Sequence, residues 1–380
     1  MRSNRTLLSL YAEFGIRPSM ISSLREHSLI VLRDQDKQEI ALPDDVESRV
    51  SLDQMRTNLV QLNGAIASAF VGLHIPDEEL HILAERMANS ERPRYVDFSK
   101  KSLYRVFNNG SLESGGRFVG GWWQSIPKEM RKYIHISHAR HPNAHRRVAE
   151  IDYSAMHPSI AYALVGQALD FDPYDVSSAL SHFENFDSRA TRKVAKMTLN
   201  ALLNAGSIDR GIKAIRSDLV KLRDRNGVQT GKPYEPPGCP PIDKLAKELL
   251  ELNHVIAEFI GSGSGVRLMN IESKIAEQTM MSVVNISGAA VLPVHDSFLI
   301  RQSHVEDLEK SMRNAFEMVL RVPCKVDLDP MESLSLPGEL PEDASVMDLH
   351  HQRISFEKSA STFFTMWEDW KVHNVGQPLS

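Results

Sequence analysis

Residues 150–160 read EIDYSAMHPSI, and this stretch decides how the fold is interpreted. The apolar run around it indicates a short strand that ends near Asp152, and Pro158 fits the first turn of a following helix. A strand that turns directly into a helix places the carboxylate of Asp152 at the edge of a sheet. A lone aspartate in this setting is more often a turn former than a ligand, so its meaning depends on the rest of the chain.

A second carboxylate lies at a predicted hairpin tip. Two strand-like runs, AAVLPV (289–294) and SFLIR (297–301), are joined by His295 and Asp296, which predicts a tight two-residue turn. Carboxylates on adjacent strand ends can hold two Mg²⁺ ions ~4 Å apart, because Mg²⁺ prefers hard oxygen ligands. Asp152 and Asp296 therefore form a candidate two-metal site.

A helix with one polar face is predicted between these two carboxylates. Asp187 and Ser188 are N-cap signals, and neither Pro nor Gly interrupts the chain before Gly206. Four side chains at successive i+4 steps share a face: Arg192, Lys196, Asn200 and Asn204. Arg as a planar fork and Lys as a point charge suit the oxygens of a triphosphate. A solvated basic face is the alternative, although two Asn inside a helix are poor local choices and indicate polar contacts.

In order and character, the three segments resemble motifs A, B and C of the palm-and-fingers nucleic-acid polymerases. EIDYSAMHPSI is similar to motif A of family A and family B DNA polymerases, with a PSI ending like that of family B. The Arg192-x3-Lys196 pattern resembles the O-helix of family A and of single-subunit phage-type RNA polymerases, and VHDSF (294–298) resembles their motif C. GGRFVGG around Arg117 is loosely similar to the stretch ahead of motif A in the phage-type enzymes and to the YxGG template contact of family B.

This resemblance, which covers residues 105–300, implies an α+β fold with a right-hand polymerase palm. The palm would be a small antiparallel sheet with helices, joined to reduced helical fingers and an N-terminal helical thumb-like region. The chain would divide into the thumb-like region (1–100), a Gly-rich, aromatic and basic connector that contacts nucleic acid (101–147), the first palm segment (148–185), the fingers (186–270), the second palm segment (271–330) and a C-terminal tail (331–380).

The resemblance also implies roles for the matched residues. Two Mg²⁺ ions, or Mn²⁺ in their place, would be held by Asp152, Asp296 and the main-chain carbonyl of Tyr153, and Lys196 would protonate the leaving pyrophosphate. The nucleotide would be bound by Arg192, Lys196, Asn200, Asn204 and His157. Nucleic acid would be contacted by Arg117, His295, Gln278, Glu272 and Trp122, although a buried packing role for Trp122 is an equal alternative.

Departures from the family pattern bear on the substrate. Asn200 and Asn204 stand where family A carries an aromatic residue and a tyrosine. His157 stands where DNA polymerases have a bulky sugar gate and phage-type RNA polymerases a small residue, which favours dNTPs, although His can also hydrogen-bond a hydroxyl. Residues 1–100 contain no DxE-type exonuclease strand. The expected activity is therefore template-directed extension of a DNA primer 3′-OH without proofreading.

Other activities stay open at this point. An RNA polymerase, a primase or a template-independent terminal transferase would use the same motifs. An inactive nucleic-acid-binding module of a repair or defence assembly is an alternative of another class, although retention of both carboxylates with the basic helix argues against it. A metal-dependent nuclease is a third, but the basic helix has no clear role in one.

Composition and charge narrow the class of protein further. The chain is 42% hydrophobic and 24% charged, and no apolar run approaches the ~20 residues that span a bilayer, so we expect a cytoplasmic protein without a membrane partner. Cys239 and Cys324 are far apart, which excludes a disulfide framework and a cysteine zinc site. The net charge is −5, yet residues 128–147 carry six Lys/Arg against one acid, as expected of a surface that follows a phosphate backbone.

Overall fold

A computed structural model of the chain describes residues 28–73, 77–88, 96–98, 100–138, 148–221 and 238–329. Parts of the predicted organisation lie outside these ranges: the start of the thumb-like region (1–27), the end of the connector (139–147), residues 222–237 of the fingers and the C-terminal tail. Within the described ranges the chain is a mixed α+β fold, which confirms the predicted class.

The described elements follow one another in this order: β1 (Ile30–Arg33), β2 (Glu39–Ile40), α1 (Val46–Ala67), β3 (Ala69–Leu73), α2 (Asp77–Ala88), β4 (Tyr104–Asn108), β5 (Ser111–Val119), β6 (Ile134–His138), β7 (Val148–Tyr153), α3 (Met156–Leu164), α4 (Ser177–Leu180), α5 (Ser188–Asn204), α6 (Ile208–Lys221), α7 (Ile242–Leu252), α8 (Gly265–Ser287), β8 (Leu292–Val294), β9 (Ser297–Arg301), α9 (Val305–Leu320) and β10 (Val326–Asp329). Short 3₁₀ helices cover Trp122–Ser125, Lys128–Tyr133, His254–Phe259 and Gln302–His304.

The sheet that carries both candidate carboxylates has four antiparallel strands in the order β10-β7-β9-β8. The predicted strand at Asp152 and the predicted hairpin at Asp296 are both confirmed, since β7 pairs with β9 and β9 with β8. β7 is an interior strand, so hydrogen bonds to β10 and to β9 hold its backbone on both sides and fix the position of Asp152.

One face of this sheet packs against helices, and the other carries polar side chains. Tyr153 faces the helices: its hydroxyl donates to the Met312 carbonyl at 2.8 Å and lies 3.1 Å from Thr279 Oγ1. These contacts seat α8 and α9 on that face. Because side chains alternate along a strand, Asp152 and Glu150 project from the opposite face. The hydrophobic core thus fixes one face of β7 and leaves the other for polar side chains.

A second sheet, β2-β1-β4-β5, is anchored on α8 by a buried cation. Arg105 is 1% exposed and lies between the rings of Phe107 and Phe118, at 5.0 and 4.9 Å. Its guanidinium donates to Glu277 Oε2 at 2.8 Å and to Ser273 Oγ at 3.0 Å. The pair satisfies both charges inside the core, as a buried ion pair requires.

The N-terminal part is less helical than predicted. The spacing of apolar residues from Leu52 to Leu73 predicts one helix. The helix ends at Ala67, and Ala69–Leu73 (AFVGL) instead forms β3, which pairs with β6. A Cβ on Gly72 would lie 2.7 Å from His135 Cε1, so the close approach of the two strands requires glycine there. The prediction was wrong because the helical pattern of apolar residues runs on into a segment whose partner strand is distant in sequence.

The helices in the range 186–270 largely follow the predictions. α5 begins at the predicted cap, where Asp187 accepts from the Ala190 amide at 2.9 Å. The single helix predicted from Ile242 to Ile260 instead breaks at Asn253, whose side-chain amide donates to the Leu249 and Pro173 carbonyls. Among the described residues, no helix combines the length and apolar character needed to cross a bilayer.

Candidate active site

Asp152 lies at a strand end that turns sharply into a helix. It is the penultimate residue of β7, and α3 begins at Met156. The turn is made by Ala155, which adopts the left-handed conformation with φ 49° and ψ 50°. A non-glycine residue takes this conformation only where the surrounding structure holds it, so the turn is well determined by its neighbours.

Asp296 lies beside this strand end at the tip of the β8–β9 hairpin. The turn consists of His295 and Asp296, and His295 has a positive φ of 57°. The Tyr153 amide donates to the Asp296 carbonyl at 3.3 Å, which ties the hairpin tip to the end of β7. The cross-strand partner of Asp152 is Ser297. Residues separated by 144 positions are thus neighbours, as the two-metal hypothesis required.

The electrostatics of Asp152 are unfavourable without a cation. Its Oδ1 is buried and accepts no hydrogen bond from the described residues. Burial in the first place, and then the charge of Asp296, raise the pKa of Asp152 to about 7, while the charges of Lys196 and Lys128 act in the opposite direction. Two adjacent carboxylates that repel each other, one with an unsatisfied oxygen, fit a divalent cation chemically.

The described residues contain no group of three or more His, Cys, Asp or Glu side chains placed to hold a metal ion. The candidate site therefore has two carboxylates and would need further oxygens from the main chain, from water or from a substrate. Mg²⁺ sites in phosphoryl-transfer enzymes commonly have this composition, since the ion keeps several waters and binds substrate phosphates. The side chain of Tyr153 lies on the far face of the sheet, so only its carbonyl could contribute.

Metal removal should make the stability of the protein depend on pH through Asp152. Its pKa is about 7 when folded and 3.8 when unfolded, so between these values the folded state binds a proton that the unfolded state lacks. Stability from this group is therefore complete below pH 3.8 and is lost as the pH rises through 7. In EDTA, Asp152→Asn should melt a few degrees above wild type at pH 8, by a smaller margin at pH 5 and close to it at pH 4, as measured by calorimetry. A gap that does not grow with pH would contradict this reading.

Helix α5 brings one cation, Lys196, within electrostatic range of the carboxylates. Its buried side is apolar and includes Val194, Leu199 and Leu202, while Lys196 is exposed on the other side. Lys196 is close enough for its charge to lower the pKa of Asp152. Of the four predicted polar residues of this helix, Lys196 is thus the one whose charge acts on Asp152.

Other polar residues of α5 are engaged elsewhere in this conformation. Arg192 forms an ion pair with Asp172 and lies 5.5 Å from the Tyr174 ring. Asp172 also accepts from the Tyr174 amide at 3.1 Å, within a turn. Asn204 donates to the Asn200 carbonyl at 2.7 Å, back onto its own helix, and lies ~18 Å along the axis from Arg192. Neither Arg192 nor Asn204 points to the carboxylates here.

A buried cluster joins three of the predicted site residues. Glu272 on α8 is 3% exposed. Its carboxylate accepts two hydrogen bonds from Arg117, from Nε at 2.8 Å and from Nη2 at 2.6 Å, and its Oε2 lies 2.8 Å from His157 Nε2. Burial opposes ionisation of this carboxyl, but the bonds from His157 and Arg117 outweigh it and lower the pKa of Glu272. We call these three residues the Glu272 cluster.

The cluster corrects one prediction. Glu272 was expected to contact nucleic acid, but its carboxylate is enclosed and its oxygens are occupied by Arg117 and His157. Arg117 remains partly exposed and lines a shallow cleft together with Glu272 and His295. Partial burial, followed by the charge of Arg117, lowers the pKa of His295. Arg117 and His295 thus stay on an accessible surface, and Glu272 holds Arg117 from the buried side.

Trp122 is a second correction. It is 2% exposed and packs against Phe98 and Trp123, with ring centroids at 4.9 and 6.2 Å. Trp123 Nε1 donates to the Pro293 carbonyl at 3.1 Å, so the pair attaches the connector to β8. No ring face of Trp122 is available to a base, and the packing alternative holds. Gln278 is exposed on α8, but it lies about 120° around the helix from Glu272.

Sequence reasoning missed two cations that lie over the polar face of β7. On the 3₁₀ helix Lys128–Tyr133, Arg131 Nη1 donates to Glu150 Oε1 at 2.6 Å, and Ser297 Oγ lies 2.6 Å from the same oxygen. Lys128 precedes Arg131 by one 3₁₀ turn and so shares its face, just as Asp152 shares a face with Glu150. Lys128 accordingly lowers the pKa of Asp152. The Lys128-x2-Arg131 spacing in the sequence indicates that these two cations share one face of the 3₁₀ helix.

Comparison with known proteins gives little independent support for any one function. No family model and no curated protein matches this sequence. Among solved structures, a similarity is found to a DNA polymerase domain. That structure is the POL domain of Pol1 from M. smegmatis in complex with DNA primer-template and dNTP, with 15% identity and a TM-score of 0.33. The alignment covers 74% of this chain and 52% of that one, so this chain spans about half the length of that protein. A similarity at this level does not establish a shared fold.

Proposed function

We propose that this chain is a metal-dependent nucleotidyltransferase, and specifically a template-directed DNA polymerase without an exonuclease, which extends a primer 3′-OH with dNTPs. The observation that carries the proposal is the buried, unsatisfied Oδ1 of Asp152 next to Asp296, with Lys196 of a separate helix close enough for its charge to lower the pKa of Asp152. Two carboxylates and a lysine in this arrangement suit the transfer of a phosphoryl group from a triphosphate.

The metal ligands in this proposal are Asp152, Asp296 and the carbonyl of Tyr153. When bound, two Mg²⁺ ions (or Mn²⁺) would supply activation of the primer hydroxyl and neutralisation of charge on the phosphate. The two aspartates hold the site rigid because one ends an interior strand and the other is tied to it through the Tyr153 amide. Such rigidity keeps the reacting atoms aligned.

The triphosphate would bind along the polar face of α5. Lys196 lies nearest the carboxylates and would neutralise the phosphates and donate a proton to pyrophosphate. Arg192 would exchange its ion pair with Asp172 for phosphate oxygens, an exchange that is feasible because the pair is half exposed. Asn200 and Asn204 would lie toward the sugar and base.

Nucleic acid would lie across the connector and the hairpin tip. Arg117 and His295 border the same cleft, and Lys128 adds an exposed cation near the end of β7. His157, at the start of α3, would act as the sugar gate. In this arrangement the sheet with β7 and β9 is the palm, α5 to α7 form reduced fingers, and the N-terminal elements are a thumb-like region.

Primer extension with separate nucleotide classes tests this function. On a primed DNA template with Mg²⁺, we expect incorporation of the complementary dNTP, with rNTPs used at least about 100-fold less efficiently because of the gate. Reactions without template, without primer and with 5′-labelled primer alone complete the set.

Each alternative gives a distinct result in this assay. Preferential rNTP use indicates an RNA polymerase or primase, and untemplated addition indicates a terminal transferase. Shortening of the labelled primer indicates a nuclease. Salt-sensitive DNA binding without any turnover indicates an inactive binding module, and any of these results would overturn the proposal.

A further inference from the structure

We infer that Glu272 sets the sugar specificity of the site as a positioning residue, by holding the His157 ring in one orientation. This inference rests on the proposed function, since sugar choice has meaning only where a nucleotide is transferred. The side chain of Glu272 is 3% exposed and its oxygens are occupied by Arg117 and His157, so it would act through His157 and not directly on substrate or metal.

The first step concerns the geometry of the histidine. His157 Nε2 lies 2.8 Å from Glu272 Oε2, and the imidazole is 13% exposed. A carboxylate can only accept, so Nε2 carries the proton and donates, which fixes the tautomer in the neutral ring. The hydrogen bond therefore removes ring rotation and leaves Nδ1 on the side away from Glu272.

The second step concerns the rigidity of the carboxylate. Arg117 grips it with two parallel bonds of 2.8 and 2.6 Å, the planar fork geometry that restricts it most. Glu272 Oε2 thus accepts from both Arg117 and His157. A histidine on the first turn of a helix, held by a carboxylate that is itself held, cannot turn aside to admit a larger sugar.

The third step is the consequence for discrimination. A gate excludes a 2′-hydroxyl only if its ring stays in place when the hydroxyl arrives. Without the bond to Glu272, χ1 and χ2 of His157 would be limited by packing alone, and the ring could move or accept a hydrogen bond from the hydroxyl. Sugar selectivity is thus expected to depend on a residue 115 positions away in the chain.

Glu277 on the same helix provides a matched control. It is also buried and also holds an arginine, with Arg105 Nη1 at 2.8 Å, and it accepts from Asn58 Nδ2 at 2.9 Å. Its hydrogen bonds thus go to partners outside the Glu272 cluster, and through Arg105 it anchors β4 and β5. Glu272→Gln and Glu277→Gln therefore make the same chemical change in similar surroundings, and only the first touches the gate.

The experiment measures kcat/KM for a dNTP and for the matching rNTP on a primed template. We expect Glu272→Gln to reduce the dNTP/rNTP ratio by about 10- to 100-fold, mainly through better use of the rNTP. Glu277→Gln should lower the melting temperature and leave the ratio within about twofold of wild type. His157→Gly should reduce the ratio at least as much as Glu272→Gln, and the double variant Glu272→Gln/His157→Gly no further, since both act through one ring.

Three results would overturn the inference. A folded Glu272→Gln protein with the wild-type ratio would show that His157 needs no support. An equal loss of selectivity in Glu277→Gln would reveal a general effect of destabilisation. Additive effects in the double variant would place the two residues in separate roles. If wild type incorporates neither nucleotide, the proposed function fails and this inference fails with it, a result distinct from active enzyme with unchanged selectivity.

Discussion

Replacing Asp152 or Asp296 with asparagine is expected to reduce nucleotide incorporation by about 1,000-fold or more, with the fold retained. Asparagine has nearly the same shape but lacks the charge that a divalent ion requires. Metal ions supply several kcal/mol of transition-state stabilisation in such reactions, and each 1.36 kcal/mol is a factor of ten in rate. Because the carboxylate of Asp152 is buried without a hydrogen bond, its removal should not destabilise the protein.

Single-turnover extension of a labelled primer, with melting curves for each variant, measures this effect. Asp327→Asn is a suitable control, because Asp327 on β10 is the other cross-strand partner of Asp152, yet it is exposed and bonded to Ser154. We expect this control to keep activity within about threefold of wild type, as for an ordinary surface change. Normal incorporation by both Asp152→Asn and Asp296→Asn would remove the basis of the proposed site.

The features that the sequence predicted well are those with local causes. The strand at Asp152, the hairpin at Asp296 and the start of α5 at Asp187 each depend on residues within a few positions, through alternation, turn geometry or capping. The resemblance in motif order then indicated that distant segments meet. The pairing of β7 with β9 confirms this proximity for the two carboxylates.

The features that were missed depend on partners far apart in the chain. β3 was read as helix because its strand partner β6 lies more than 60 residues away, and Trp122 was placed on nucleic acid because its burial depends on Phe98 and β8. Glu272 was recognised as a site residue, but its partners His157 and Arg117 come from two other elements. A single sequence does not say which buried carboxylate will meet which cation.

The charges around the site form a consistent pattern. Negative charge is concentrated at Asp152 and Asp296, and cations approach them from two sides, Lys196 from α5 and Lys128 from the connector. Glu150 lies on the same face but is neutralised by Arg131 at 2.6 Å, so it adds little to the uncompensated charge. The arrangement leaves one pair of carboxylates for a metal and separate cations for phosphate.

Replacing Lys196 with alanine is expected to lower the rate of incorporation by about 100-fold, because a phosphate-binding cation beside the reacting group typically contributes a factor of this size. Lys196→Arg distinguishes its two proposed roles. Arginine keeps the positive charge, so the KM for dNTP should recover, but its guanidinium does not release a proton, so kcat should remain low. Steady-state kinetics on a primed template with varied dNTP measures both constants.

Lys247→Ala is the matched control for this prediction, because Lys247 is an exposed lysine on α7 that pairs with Glu251 of its own helix at 3.6 Å. We expect wild-type kinetics from it. Full recovery of kcat in Lys196→Arg would show that Lys196 acts through its charge alone, and unchanged kinetics in Lys196→Ala would exclude α5 from triphosphate binding. Since the charge of Lys196 also lowers the pKa of Asp152, Lys196→Ala should shift the acid limb of the pH–rate profile to higher pH. A change in that limb, absent from Lys247→Ala, would link α5 to the carboxylate site independently of how much activity is lost.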